Sequence, residues 1–585
     1  MQHPLRELKI LFVILALALA VTGCGGGGGG SDDPPPATDP DPPPVTTAIP
    51  TAPTGLPALV PDAGGLSTGF NVSPLSGTPA PAGVGSRVAP VPQPVPEAGA
   101  FTIIDQDAAI RLGKALFWDV QVGSDGQMAC ASCHFSAGAD NRRTNTVHPG
   151  VDTVFDIVVA PGQTLSSFFT FSADTLLAGF DDRVGSGGVF SQDFISLPAD
   201  LDDPVEVCEP IVHPDAAQAT FGTANRLVTG RNAPTVLGAV FYLDNFWDGR
   251  ASQDFNGENP LGNGSRVAAL SSLASQATGP PLSDVEMSCA GRDWDDIGAK
   301  MVLRTPLAFQ LVAPTDSVLG PLSNAPDNGL TAGFPDRALT YADLIAAAFG
   351  TNGLTGTEAV DFYIDEFANI WGQALQAYQA TLIPNRTPYD LGTLSPTQLV
   401  GLDELRNGSN CFDCHVEPEF SDATVRVINL RGGPNTPKQI GGNPAGDQGF
   451  HNIGVSVTDD DLGRSDSPGG VYNSSEFNDG AFKTPGLRNL ILTAPFMHNG
   501  SIATILDVLD FYDGQDQVAN PEINPLSQDG VSGGREAEVV DFLTNGLLDC
   551  RVANNVAPFD HPELVIPNGS TLPAVGAAGN GTICP

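Results

Sequence analysis

Two five-residue strings constrain this chain more than anything else in it: Cys130-Ala131-Ser132-Cys133-His134 and Cys411-Phe412-Asp413-Cys414-His415. Each reads C-x-x-C-H, the attachment pattern of c-type haem. Two cysteine sulfurs add across the haem vinyl groups, and the next residue offers an imidazole to the iron. The two-residue gap lets both sulfurs reach one porphyrin edge from a single turn of backbone. Two C-x-x-C pairs can also make one tetrahedral zinc site. That alternative leaves the histidine after each pair without a purpose.

Lys and Arg total 26 against 67 Asp and Glu, a formal charge of −41. This balance speaks against binding nucleic acid or anionic lipid through a basic face. It suits a basic electron-donor partner, or reflects a generally acidic exported protein. At 585 residues the chain has room for two or three domains.

The N-terminus reads as an export signal. Arg6 and Lys9 precede an apolar run from Ile10 to Val21 that is too short for a stable membrane span. Val21-Thr22-Gly23-Cys24 resembles a bacterial lipobox, which implies cleavage before Cys24 and lipidation of that residue. Residues 1–24 are then a lipoprotein signal, and the protein is lipid-anchored on the periplasmic side of a membrane. Without lipidation the segment is an ordinary signal peptide and the product is free in the periplasm. Export favours disulfides. Of nine cysteines, Cys24 goes to lipid and four to haem, leaving Cys208, Cys289, Cys550 and Cys584. Three pairings are open; Cys208–Cys289 and Cys550–Cys584 are favoured because each pair lies within one segment.

Residues 25–100 begin with six glycines and continue Pro- and Asp-rich. Such sequence buries too little apolar surface to order itself and reads as a disordered tether of roughly 50 Å reach. The folded part starts near Phe101. Asp105 is placed to cap a helix through Ile110, Leu112 and Leu116, and Gly123-Ser124-Asp125-Gly126 then turns the chain into the first haem string. Before the second string, Ser395, Pro396 and Gln398 form a capping box with proline at the first helical position. Leu394 and Leu399 are spaced for a hydrophobic staple, and Leu402 and Leu405 continue the apolar face. Between the strings, Val360, Ile364, Phe367, Trp371, Leu375, Tyr378 and Leu382 predict one long helix ended by Pro384. With 67 Gly and 51 Pro elsewhere, the expectation is a mainly α protein with long loops and little sheet. Its parts would be an N-terminal haem domain over 101–385, a C-terminal haem domain over 386–550, and a disulfide-held tail over 551–585.

Further strings occur in order: Arg231-Asn232-Ala233-Pro234-Thr235, Phe246-Trp247-Asp248-Gly249-Arg250-Ala251, Gly279-Pro280-Pro281-Leu282 with Val285-Glu286-Met287, Phe450-His451-Asn452-Ile453-Gly454-Val455 with Gly463-Arg464, Thr484-Pro485-Gly486-Leu487-Arg488-Asn489, and Thr493-Ala494-Pro495-Phe496-Met497-His498-Asn499-Gly500. With both C-x-x-C-H strings these resemble the bacterial dihaem cytochrome c peroxidase family, MauG included. The resemblance runs from about Leu112 to Tyr512. It departs at inserted segments, Ala251 to Ala277 and Thr144 to Val228.

The resemblance implies two cytochrome c-like haem domains and two covalent haem groups with proximal ligands His134 and His415. The N-terminal haem would be the peroxide site and the C-terminal one the electron-transfer site. It implies Glu286 as the catalytic acid–base residue, Pro280 beside it, and Trp247 as an electron relay between the haems; Trp247 also reads as plain core. On the far side of the C-terminal haem the family uses methionine or tyrosine, and both Met497 and Tyr512 are available. Ile505, Leu509 and Tyr512 share a helix face, which turns Tyr512 inward and favours it. His148 resembles a removable cap on the N-terminal haem, or reads as a turn residue. A calcium ion would be held by the Asn232 side chain and the Thr493 and Pro495 carbonyls. His451 and His498 become hydrogen-bond partners near the C-terminal haem, while His213 and His561 read as surface residues.

The expected function is a tethered periplasmic peroxidase. It would reduce hydrogen peroxide to water with electrons from a small cytochrome c or cupredoxin. A MauG-like oxidase acting on a protein or organic substrate is the alternative, and a non-enzymatic two-haem electron carrier the third reading.

Overall fold

Helix formation in this chain is set by caps and by glycines that let helices touch. In the computed structural model, Asp105 accepts from the Ala108 N–H at 2.9 Å and starts the helix Gln106–Trp118. That helix lies against the helix Phe367–Gln379. A Cβ on Gly113 would stand 1.9 Å from the Ala374 carbonyl oxygen, so only glycine permits this approach. The structure describes residues 90–142, 146–155, 181–200, 202–334, 337–440, 443–444, 446–467, 475–514, 517–528, 530–531, 533–567 and 569–581. These all fall in one compact unit. The expected lipidation site Cys24, the tether up to residue 89, and Cys584 lie outside the described residues.

The described part is mostly helical, with strands of two to five residues paired antiparallel in two-stranded sheets. No helix among the described residues is long and apolar enough to cross a membrane. The largest hydrophobic cluster gathers Leu112, Leu116, Ile345, Tyr363, Phe367, Trp371 and Tyr378. A second cluster gathers Leu402, Leu405, Phe420, Leu509 and Phe542. The C-terminal tail returns to the first cluster, to which it contributes Val552, Phe559, Leu564 and Ile566. The Glu563 N–H donates to Leu311 O and the Ala577 N–H to Thr315 O.

Several local expectations need correction. The tether does not extend to residue 100: Val95–Pro96 pair with Ala268–Ala269 of the inserted segment, which gives that stretch hydrogen-bond partners. The single long helix is two, Thr357–Asp365 and Phe367–Gln379. The break falls at Glu366, whose backbone leaves helical geometry at φ −93° and ψ 8°. Nearby, Gly298 of the helix Trp294–Met301 sits where a Cβ would meet Ile364 O at 3.0 Å. Ser395 and Gln398 form their capping box ahead of the helix Pro396–Asp403. Leu399 is 53% exposed, so no staple closes over it. Leu402 and Leu405 are buried, and a wider π turn, Glu404–Gly408, leads on towards Cys411.

Candidate functional site

Each C-x-x-C-H string folds as one short helical turn, Ala131–His134 in the first and Cys411–Cys414 in the second. None of these four cysteines is in a disulfide. Burial pushes the Cys130 and Cys133 thiols up to about 12, and the Cys414 thiol is raised by the same cause. His134 Nδ1 donates to the Gly138 carbonyl at 2.8 Å. His415 Nδ1 faces two carbonyls, Phe420 at 3.0 Å and Pro485 at 3.1 Å. A carbonyl only accepts, so both Nδ1 atoms carry the ring proton and both Nε2 atoms keep a lone pair. That is the tautomer a histidine iron ligand needs.

Glu286 sits on the segment that follows the turn Pro280–Leu282. Burial raises its carboxyl pKa, against the opposing pull of Arg250 and a Ser283 hydrogen bond. Its charge is felt at both the Cys130 and the Cys133 sulfur, so it lies within electrostatic reach of the first string. The segment is held from several sides. Val189 N–H donates to Val285 O, and Ser124 N–H to Met287 O. A Cβ on Gly188 would stand 1.9 Å from Val285 O, so the inserted strand Gly187–Phe190 can lie there only with glycine. Cys289 is disulfide-bonded to Cys208 on the inserted strand Val207–Pro210, and its N–H donates to Ser124 Oγ at 2.8 Å. Beneath the bridge, fully buried Glu206 binds Arg292 at 2.7 Å and Lys300 at 2.9 Å. Cys550 is likewise disulfide-bonded.

The other strings converge on Trp247. Its indole N–H donates to Asn232 O at 2.8 Å, and its ring meets His498 edge-on at 6.5 Å. His498 stacks on Phe482 at 3.6 Å, and burial lowers its pKa to about 3. Asn232 N–H donates to His498 O, and the Asn232 amide donates to Pro495 O at 2.8 Å. Arg231 joins Asp248 and Asp461, at 2.6 and 2.7 Å. Gly249 has φ 73°, and a Cβ there would meet the Arg464 guanidinium at 2.0 Å. Arg464 also covers the Phe450 ring at 3.9 Å. Arg231 and Arg464 stand in the strings quoted above, but the sequence does not show that they meet Asp461 and Gly249, which lie 230 and 215 positions away.

Tyr512 ends the helix Ile505–Tyr512. Its phenol pKa is raised by burial and by the nearby Cys414 and Cys411 thiols, which places it beside the second string. It does not share the environment of Ile505 and Leu509, which pack in the second large cluster. It packs instead with Met497, Val508 and Phe511 around Val455 and Ile502. Met497, the alternative, has φ 70°, a backbone state non-glycine residues rarely hold.

His451 lies at the second string too: Cys414, Asp422 and His451 place side-chain atoms within 4.8 Å of one another. Its Nε2 is 3.0 Å from Asp422, and its Nδ1 accepts from the Asn524 amide at 2.7 Å. His148 is not a turn residue. It lies in a strand whose partner for His148 is Arg183, buried near Phe221, and burial lowers its pKa to about 4. Its Nδ1 accepts from the Gly150 N–H at 3.1 Å, so the neutral ring carries its proton on Nε2. His213 and His561 are not surface residues. His213 is buried 3.3 Å from Asp284, and His561 is stacked against Trp118. Thr493 closes the short turn Leu490–Leu492.

The family model described as di-haem cytochrome c peroxidase matches residues 107–188 and 209–394. That span holds the first C-x-x-C-H string, Trp247 and Glu286. Cytochrome c peroxidase Ccp of Escherichia coli K12 is 24% identical over 287 residues, covering 47% of this chain and 40% of that protein. Methylamine utilization protein MauG of Methylorubrum extorquens is 27% identical over 178 residues, 29% of this chain and 39% of that protein. Cytochrome c551 peroxidase of Pseudomonas aeruginosa is 27% identical over 285 residues, 48% of this chain and 56% of that protein. The chain is therefore a relative of the dihaem cytochrome c peroxidase and MauG proteins, and spans about half or less of these relatives' own length. Among solved structures, a MauG-like protein associated with microbial copper homeostasis aligns with TM-score 0.44 and 18% identity, over 82% of this chain and 98% of that one. The diheme peroxidase BthA from Burkholderia thailandensis aligns with TM-score 0.40 and 16% identity, over 83% and 100%.

Proposed function

We propose that this chain is a peroxide-reducing oxidoreductase carrying two c-type haems, one in each of two cytochrome c-like regions, 101–385 and 386–550. Cys130, Cys133 and His134 would hold the first haem, and Cys411, Cys414 and His415 the second. Four cysteines kept out of disulfides and the two Nε2 lone pairs fit such groups. Bound haem iron would supply the peroxide-binding and electron-carrying chemistry that no side chain has.

Glu286 carries the reading: a buried carboxyl within electrostatic reach of the first string, with a raised pKa. Two protons and two electrons convert hydrogen peroxide to two waters. Glu286 would take a proton from one peroxide oxygen and return it to the other. The histidine tautomer at Nδ1 keeps His134 and His415 oriented as ligands. Trp247, in contact with His498, relays single electrons between the two regions. Tyr512 offers its oxygen to the second haem, and the thiols beside it support that role. His148, whose Nδ1 accepts from the Gly150 N–H, would not serve as an iron ligand. Asn232 and Pro495 already meet; turning the Asn232 amide over would present two oxygens to a calcium ion, with Thr493 nearby in sequence. Electrons come from a small cytochrome c or cupredoxin, and the site of action is periplasmic, with anchoring through Cys24.

Tyr512 also favours the second reading, a MauG-like oxidase, since a phenolate stabilises oxidised iron better than a thioether does. Reduced cytochrome c is the test. Rapid peroxide-dependent oxidation, lost in Glu286→Gln, supports the peroxidase. Slow turnover with a long-lived oxidised species supports the oxidase. No reaction, with Glu286→Gln indistinguishable from wild type, leaves an electron carrier.

A further inference from the structure

A second oxidisable pair lies next to the first string, apart from Trp247. His134, Phe117, Trp118, Tyr378 and His561 line one small cavity of about 40 Å³. The Phe117 ring lies 6.5 Å from His134, 5.9 Å from Trp118 and 5.5 Å from Tyr378, centre to centre. Trp118 donates its indole N–H to the Tyr378 oxygen at 3.1 Å. The other face of the indole system is used as well: it stacks on His561 at 4.8 Å with the rings 12° from parallel. All three are buried.

The surroundings carry an unusual charge. Lys114, one helical turn before Trp118, is fully buried and faces two carboxylates, Asp316 at 2.8 Å and Asp560 at 3.4 Å. Ser317 supports Asp560 with its backbone N–H at 2.6 Å and its hydroxyl at 2.7 Å. All three groups act on Tyr378, the Lys114 ammonium most strongly and the two carboxylates against it. Asp560 and His561 come from the C-terminal tail, so the tail completes this environment.

We propose that Trp118 is a one-electron station for the haem held by His134. The inference rests on the peroxidase reading. With hydrogen peroxide as oxidant, Trp118 gives one electron to the oxidised haem group and becomes a radical cation. Its N–H proton stays in the hydrogen bond to Tyr378, and no bond to carbon forms or breaks. One electron from the external donor restores it. Asp316 and Asp560 offset the Lys114 ammonium, whose field would otherwise oppose a positive charge on the ring, and interior charges act strongly because little water screens them. His561, neutral because burial lowers its pKa, adds no opposing charge.

Freeze-quenched EPR of the full-length holoprotein, after one equivalent of hydrogen peroxide, tests this. Wild type is expected to show an organic radical signal that narrows when ring-deuterated tryptophan is incorporated. Trp118→Phe is expected to lose it, and Trp247→Phe to retain it. Tyr378→Phe and Asp560→Asn should keep the indole signal but shorten its lifetime. Covalent haem content shows that each variant has folded. If Trp118→Phe has not folded, the lifetime in Asp560→Asn decides, and an unchanged lifetime overturns the proposal. So does an unchanged signal in Trp118→Phe, or no radical in wild type while the haem absorbance still responds. If peroxide leaves the haem absorbance untouched, the peroxidase reading fails first and this inference goes with it.

Discussion

Glu286 is a carboxyl withdrawn from water, with the Arg250 cation pulling against that burial. Burial outweighs that cation, so its pKa lies above the ordinary 4.5. A base works only when ionised, so peroxide turnover should rise as pH climbs through this raised value. Glu286→Gln should remove that acid limb and lower kcat/KM for peroxide by roughly 10²–10⁴-fold, read from steady-state pH profiles. His148 makes the opposite prediction. Because its Nδ1 accepts from Gly150, its Nε2 is not free for iron. His148→Ala should leave the resting EPR spectrum of the first haem as in wild type. A shift from low to high spin in that variant would show that His148 is a cap after all.

At the scale of elements, the closest contact is between the helices Gln106–Trp118 and Phe367–Gln379. Gly113→Val would drive its side chain into Ala374 and should cost about 3 kcal/mol or more, seen as a lower thermal midpoint. The inserted ribbon Gln192–Ser196 with Val207–Pro210 is tied to the Glu286 segment by Cys208–Cys289 and by Glu206. For Glu206, burial alone would raise the pKa, but Arg292 and Lys300 hold it below the ordinary 4.5. A carboxyl lowered on folding contributes stability above its unfolded pKa and loses it as pH falls below that value. Wild type should therefore lose stability below about pH 4.5 more steeply than Glu206→Gln, measured by denaturant titration across pH. Sequence alone placed the Ser395 and Asp105 caps correctly, because a cap depends on neighbours three residues away. It missed the break at Glu366, because the apolar period continues through that residue and only its backbone angles depart from the helix.

At the scale of the whole molecule, a formal charge of −41 gives the chain a field that attracts basic partners. Oxidation of a basic cytochrome c should slow steadily as salt rises from about 0.01 to 0.15 M, as the Debye length falls from about 30 to 8 Å. A rate indifferent to salt would point to a neutral or acidic donor. The tail has a global role as well. Residues 551–585 read as an appendage, yet they supply Phe559, Leu564 and Ile566 to the first hydrophobic cluster and Asp560 to Lys114.

The sequence by itself determined the two C-x-x-C-H turns, their histidines and the order of the strings around them, since these depend on residues within a few positions of one another. Helical content was equally legible, through caps and apolar periods. Only the tertiary structure decided which strings meet: Arg231 with Asp461, Gly249 against Arg464, Glu286 within electrostatic reach of Cys130, and Tyr512 beside Met497 rather than Leu509. Those outcomes depend on separations of up to a few hundred residues, closed by packing and by buried charge pairs. No local pattern encodes a partner that lies on another element, and burial, which sets the Glu286 pKa and hides Lys114 and Trp118, is a property of the folded whole.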